Sequence, residues 1–187
     1  MASATRIAAG AFRVSVRLFV AVWLPAEAVA TVAALDRPPS PALRWTQPGQ
    51  WHVTLSFLGA VADEAVAEVA SGLTRLEAEA TRAVLGPATR RLGRSVLMVP
   101  VAGLDALAVA VAAVVPPGPE AGRPFVGHLT LARAKRAATV PAALSGTPMS
   151  ATWAVTEVAL VRSHLASTSQ GAGARYETLA TVPLTGA

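Results

Sequence analysis

The segment WHVTLSF, residues 51–57, alternates apolar and polar side chains without interruption. Its large apolar side chains all fall on one parity: Trp51, Val53, Leu55 and Phe57. Successive side chains of a β-strand point to opposite faces. The segment therefore predicts a strand with one buried face and one face that carries His52, Thr54 and Ser56.

The core of this segment occurs a second time, in GHLTLAR at residues 127–133. The chain has only three histidines, and two of them, His52 and His128, open the tetrapeptide H-x-T-L. An apolar strand, a helix and a proline-rich loop precede each copy in the same order. The first set is VRLFVAVWL (16–24), a helix from Pro25 to about Leu35, and a loop at 37–50; the second is SVLMVPV (95–101), a helix at 104–115, and a loop at 116–125. This duplicated order predicts two related lobes.

The remaining pattern completes one domain. Residues 62–83 have helical composition, with Asp63 and Glu64 in the first turn. Residues 152–163 and 176–184 read as two further strands, separated by a small-residue loop at 163–175 in which His164 is expected to lie exposed. We expect a flexible N-terminal extension at 1–14 and a single bilobal domain at 15–187.

Composition limits the classes of function. Of the residues, 53% are hydrophobic and 14% charged, so most of the chain is expected to fold. The net charge is +5, and every basic residue but Lys135 is an arginine, which favours anionic partners such as phosphates. The absence of cysteine excludes disulfides and thiolate chemistry. The apolar run LFVAVWL is far shorter than the ~20 residues of a membrane span, and we expect a cytoplasmic protein with no membrane partner.

Strand parity suggests the chemistry of the two motifs. His52 and Thr54 share one strand face, as do His128 and Thr130. If the lobes are related by a pseudo-two-fold axis, both faces meet across one cleft. Two hydroxyls could then hold a phosphate while one imidazole accepts a proton and the other donates one, which breaks a phosphodiester without a metal.

Other readings of these residues remain open at this point. A His-x-Thr pair on an amphipathic strand is also typical of a solvated face. A zinc site would need three or four ligands, and neither strand carries a carboxylate. A serine nucleophile is disfavoured because no G-x-S-x-G elbow is present.

The paired HVTL and HLTL motifs resemble the signature of the 2H phosphoesterase superfamily. RLFVAVWLP and RWTQPGQWHVTLSFLG resemble its bacterial and archaeal branch, the 2′-5′ RNA ligase-like RNA 2′,3′-cyclic phosphodiesterases. SVLMVPV, VALVRSHL and RYETLATVPL follow in the order of that branch, so the likeness covers roughly residues 16–184.

The resemblance implies an α+β fold that is bilobal, with antiparallel sheets lining a central cleft and helices outside. It implies that His52 and His128 are an acid–base pair and that Thr54 and Thr130 hold the phosphate. The implied reaction is metal-independent, needs no cofactor, and opens a terminal 2′,3′-cyclic phosphate on RNA to a 2′-phosphate. Ligation of RNA ends through a 2′-5′ bond is formally the reverse reaction.

Four further residues are candidates for substrate binding. Arg133 follows the second motif, although strict parity places it with Leu129 and Leu131, away from His128. Phe57 shares the apolar parity, where a core role competes with base stacking. Tyr176 is the only tyrosine and follows a basic loop, and Ser163 ends its strand near the expected cleft. Arg44 and Trp45 are expected to support the first motif.

One departure from the family pattern concerns His128, which follows Gly127 where proline is usual; we expect this glycine to loosen the histidine's placement. We expect a monomer, because the duplication already completes the cleft. Two alternatives keep the fold: a 2H phosphodiesterase for a small cyclic nucleotide or ADP-ribose cyclic phosphate, and a non-catalytic module that binds RNA ends.

Overall fold

Each half of the chain folds as a strand, a helix and a returning strand. The computed structural model describes residues 14–136, 138–164 and 173–186. Within them the strands are β1 (Ser15–Trp23), β2 (Leu43–Trp45), β3 (His52–Ala62), β4 (Thr81–Leu85), β5 (Arg90–Leu92), β6 (Val96–Ala102), β7 (His128–Ala134), β8 (Ala151–Val155), β9 (Glu157–His164) and β10 (Arg175–Pro183). The α-helices are α1 (Ala26–Ala33), α2 (Val66–Leu73) and α3 (Asp105–Val114), and short 3₁₀ turns lie at Pro48–Gln50, Asp63–Ala65 and Ala142–Leu144.

The strands form one antiparallel sheet in the order β10-β9-β1-β3-β7-β6-β4-β8, with β2 against β7 and β5 against β6. The two H-x-T-L strands, β3 and β7, are neighbours at its centre. Each has the first strand of its own half, β1 or β6, on its other side. The predicted α+β bilobal architecture, with an antiparallel sheet and helices outside, is confirmed.

The main core lies between the helices and one face of this sheet. All three helices contribute fully or nearly fully buried side chains to it, including Val32, Leu73 and Val111. The opposite face carries a second, smaller apolar cluster of Phe19, Ala21, Ala159 and Val161. Residues 17, 19, 21 and 23 of β1 share this second face by strand parity.

Three expected elements differ from the structure. The helix expected at 62–83 ends at Leu73, and β4 follows. A side chain at Gly72 would lie 2.6 Å from the carbonyl oxygen of Val114, so α2 passes too close to α3 at this point to carry a larger residue. In the proline-rich loop, the proline-free stretch Leu43–Trp45 pairs with β7 as β2.

The strand expected at 152–163 is two strands separated at Thr156. β8 pairs with β4 and β9 pairs with β1, so they lie towards opposite ends of the sheet. One residue connects them because the sheet curls into a half-barrel. His164, expected in a loop, is the last residue of β9, and its Nε2 lies 2.7 Å from Oε2 of Glu177.

Residues 1–13 of the expected extension and 165–172 of the expected loop lie outside the described residues. No helix in the described part of the chain is long and apolar enough to cross a membrane.

The contact between the halves gives a first prediction. Leu129 is 0% exposed and pairs with Val53 between the lobes. We expect Leu129→Ala to lower the free energy of unfolding by about 3 kcal/mol, because it removes buried apolar surface and leaves a cavity. Urea denaturation followed by circular dichroism measures the change.

Leu92→Ala is the matched control, since Leu92 is 38% exposed, and it should cost less than about 1 kcal/mol. Equal losses in the two variants would mean that the contact at Leu129 contributes no special stability.

Candidate active site

The pairing of β3 with β7 brings the two motifs together. Val53 and Leu129 are the paired residues, and both are 0% exposed. In an antiparallel pair the flanking residues then lie side by side on the opposite face, His52 beside Thr130 and Thr54 beside His128. All four side chains are partly exposed there. The four predicted catalytic residues therefore share one patch of the surface.

Both histidines are held by the same kind of hydrogen bond, from the ring to a backbone carbonyl two residues earlier. Nδ1 of His52 lies 2.8 Å from the carbonyl oxygen of Gln50, and Nδ1 of His128 lies 2.7 Å from that of Val126. A carbonyl can only accept a hydrogen bond, so each Nδ1 carries the hydrogen. In the neutral ring this leaves Nε2 as the unprotonated nitrogen, available for proton transfer.

Aromatic rings surround His52, whereas no aromatic ring of the described residues packs against His128. Phe19 stacks on the His52 ring at 4.7 Å between centroids, while Tyr176 at 5.0 Å and Trp23 at 5.4 Å meet it edge-on. Burial is the largest cause that lowers the pKa of His52; the hydrogen bond to the Gln50 carbonyl raises it and the positive charges of Arg133 and His128 lower it, with a net value of about 4. His52 is therefore neutral at pH 7.

The uninterrupted alternation of residues 51–57 does not persist in the structure. The register between β1 and β3 shifts twice. The first shift lies between the pairs Ala21–Thr54 and Val20–Ser56, and the second lies between the pairs Phe19–Phe57 and Leu18–Gly59. Leu55 and Leu58 are the extra residues at these bulges. As a result Phe57 leaves the core parity, is partly exposed, and packs with the Phe19 cluster on the face of His52.

A third bulge moves Arg133. In β7, Thr130 pairs with Met98 and Ala132 with Leu97, so Leu131 is the extra residue. Leu131 and Ala132 are both buried, and Arg133 is exposed. The parity that would place Arg133 with Leu129 and Leu131 is thus reversed, and its positive charge lies near enough to His52 to lower that histidine's pKa.

The other two binding candidates lie on the same face, beyond His52. Tyr176 pairs with Ser163, and Ser163 pairs with Arg17, which places the three in one row across β10, β9 and β1. Nε2 of the Gln50 side chain donates to the carbonyl oxygen of Ala174 at 2.5 Å, which ties the start of β10 to the segment before His52. The structure thus gathers all eight predicted site residues on one face, while their roles stay predictions.

Sequence reasoning missed three residues of this face. Phe19 and Trp23 enclose His52, and the Arg17 guanidinium lies 4.8 Å from the centre of the Phe57 ring. A signal was present, because these residues share one parity of β1. That strand is apolar on both parities, so the parity facing the site could not be chosen without knowing its neighbours.

Gly127 is closely enclosed. A Cβ atom at this position would lie 2.2 Å from the carbonyl oxygen of Val101 and 3.2 Å from the ring of Phe125. Val101 N–H also donates to the Gly127 carbonyl at 2.9 Å. The glycine is therefore needed for the close approach of the backbone just before His128. From the sequence we expected only that Gly127 would loosen the placement of His128.

No three His, Asp or Glu side chains of the described residues lie close enough together to hold a metal ion. The site's functional groups are two imidazoles, two threonine hydroxyls and arginines, a set suited to binding and protonating a phosphate ester.

Comparison with known proteins gives the class of this site. Residues 22–93 match the family model described as LigT-like phosphoesterase. A crystal structure of TT0787 from Thermus thermophilus has 29% identity and a TM-score of 0.71, covering 89% of this chain and 97% of that one. The crystal structure of E. coli LigT complexed with 3′-AMP has 29% identity and a TM-score of 0.69, and the match covers 92% of this chain and 99% of that one. The comparison with curated proteins gives no match.

E. coli LigT complexed with NADP⁺ is 31% identical, with a TM-score of 0.66, and the match covers 92% of this chain and 99% of that one. The fold and these likenesses define a phosphoesterase of the 2H superfamily. The chain belongs to its LigT-like family.

The aromatic surround of His52 gives a second prediction. An NMR titration of the His52 ring should have its midpoint near pH 4, against about 6.5 for an open histidine. Tyr176→Ala admits water to the ring and should move the midpoint upwards, because hydration stabilises the imidazolium. Tyr176→Phe keeps the ring and serves as the control.

The spectrum of His52→Gln identifies the resonance. A midpoint in Tyr176→Ala that matches Tyr176→Phe would show that burial by the Tyr176 ring does not set this pKa.

Proposed function

We propose that this chain is a metal-independent RNA 2′,3′-cyclic phosphodiesterase that opens a terminal cyclic phosphate to a 2′-phosphate. The observation that carries the proposal is the pair of histidines on one face of paired strands, each with Nδ1 bound to a backbone carbonyl and Nε2 left for proton transfer. Membership of the LigT-like family supports the reaction class.

We assign the general base to His52. Its pKa of about 4 leaves the ring neutral at pH 7, so its Nε2 can accept a proton from water as the water attacks the phosphorus. The hydrogen bond from Nδ1 to Gln50 fixes the ring orientation and compensates part of the positive charge that develops.

We assign the general acid to His128. Its hydrogen bond to Val126 lies at the surface, and no aromatic ring of the described residues packs against it. Water can therefore solvate the imidazolium form, which donates its Nε2 proton to the departing 3′-oxygen. The P–O3′ bond breaks and the phosphate stays on the 2′-oxygen.

The threonines support this exchange, and the charge of Arg133 acts on His52. Thr54 and Thr130 lie beside the histidines across the strand pair, where their hydroxyls can donate to the non-bridging oxygens. The positive charge of Arg133 opposes the protonation of His52, and the negative charge of the phosphate ester in the transition state would offset that repulsion.

A nucleotide end fits the rest of this face. Tyr176 and Trp23 are partly exposed rings against His52, and Phe57, which packs with the Phe19 cluster on the same face, lies under the Arg17 guanidinium. Bases stack on such rings without sequence preference. That the related E. coli LigT has been crystallised with 3′-AMP supports a nucleotide as the ligand.

The third prediction tests the reaction. An RNA oligonucleotide ending in a 2′,3′-cyclic phosphate is incubated with the protein in excess EDTA, and the position of the terminal phosphate in the product is mapped. We expect a 2′-phosphate from the wild type, and a loss of about 10²–10⁴-fold in kcat for His52→Ala and for His128→Ala, because each removes one proton-transfer group.

His164→Ala is the control, since His164 pairs with Glu177 away from the two motifs, and it should keep wild-type activity. An intact cyclic end after incubation with the wild type, or full activity in either motif variant, would refute the proposal.

A further inference from the structure

We propose that Arg44 and Arg133 form a second phosphate subsite, which binds the phosphodiester preceding the terminal nucleotide and selects oligonucleotide ends over mononucleotides. This rests on the proposed function, because it names the substrate class of the same site. Arg44 was expected from the sequence only to support the first motif.

The register of the sheet pairs the two arginines. Arg44 of β2 and Arg133 of β7 are direct cross-strand partners. Directly opposite residues have Cβ atoms about 4.5–5.5 Å apart and point to the same face. Leu43 is buried and Trp45 packs against the main core, so Arg44 between them points away from the core.

Like charges at directly opposite positions destabilise a strand pair unless a counter-charge is present. Neither arginine has an acidic partner among the described residues, where the ion pairs are Arg162 with Asp63 and His164 with Glu177. Both arginines are exposed. Two unpaired guanidinium groups at adjacent positions are the arrangement that a bound anion would neutralise.

The pair lies beside the two motifs on the same face. The bulge at Leu131 turns Arg133 to the side of Thr130 and His128. Their β6 partners, Met98 and Val96, are two residues apart, so Thr130 and Arg133 lie roughly 7 Å apart along the strand at about 3.3 Å per residue. The arginine pair is thus displaced along β7 from the group that the threonines would hold.

A phosphate is the anion that this geometry favours. Each guanidinium presents a planar fork that matches two phosphate oxygens. An RNA end carries its next phosphate one nucleotide from the cyclic one, so a second anionic group is present in an oligonucleotide and absent from a nucleoside 2′,3′-cyclic phosphate. An ADP-ribose cyclic phosphate would also carry one, as a pyrophosphate.

The test compares substrates with and without the charge of the internal phosphodiester. ApA ending in a 2′,3′-cyclic phosphate is compared with the same dinucleotide whose internal linkage is a neutral methylphosphonate, and with adenosine 2′,3′-cyclic phosphate. We expect the wild type to prefer the charged dinucleotide by about tenfold in kcat/KM, since a hydrogen-bonded contact to a charged group is lost in the analogues.

Arg44→Gln should reduce the ratio of the two kcat/KM values towards one. It should also lower the slope of log KM against log salt concentration for the charged dinucleotide by about 0.7. Arg44→Lys keeps the charge and should restore part of the preference. Arg75→Gln is the matched control, because exposed Arg75 follows α2 on the other face of the sheet.

The outcomes separate the two proposals. Turnover of all substrates with no preference for the charged linkage, or an Arg44→Gln variant equal to Arg75→Gln, would overturn the subsite and leave the reaction standing. If no cyclic end is opened, the reaction is wrong, and calorimetric binding of ApA 2′-phosphate decides the subsite. Weaker binding in Arg44→Gln than in Arg75→Gln supports it, and equal or absent binding overturns it.

Discussion

The backbone pairing of β3 with β7 at Val53 and Leu129 is the contact on which the rest of this structure depends. It joins two halves that each fold as a strand, a helix and an antiparallel returning strand. Because the paired residues are buried on one face, their neighbours must appear on the other, and those neighbours are the two histidines and two threonines. A shift of one residue in either strand would turn that strand's histidine and threonine into the core.

The duplication produces two histidines with the same backbone anchor but different surroundings. His52 pairs in register with Trp23, and His128 pairs with Pro100. β10 adds Tyr176 on the side of His52 alone. The repeated motifs thus place one imidazole against three aromatic rings and the other against no ring of the described residues, and the proposed assignment of base and acid depends on this difference.

Three bulges set the boundaries of the site. Each inserts one residue into a strand and reverses the parity beyond it, which moves Phe57 and Arg133 from the expected core face to the exposed one. The same shift in β7 allows Arg44 on β2 to meet Arg133 directly. Bulges depend on how two strands fit together over their full length, so a single strand's alternation cannot reveal them.

The sequence by itself determined the repeated order of elements, the family, and the four residues of the H-x-T-L motifs, since these follow from local periodicity and from two short motifs. Strand limits near β1, β3, β6 and β7 followed for the same reason. The end of α2 at Leu73, the short β2 and β5, and the separation of β8 from β9 came only from the tertiary structure, because close packing and strand pairing at a distance decided them. The aromatic enclosure of His52 and the exposed positions of Phe57 and Arg133 belong to the same class: each depends on residues from strands far apart in the chain that meet only when the sheet curls.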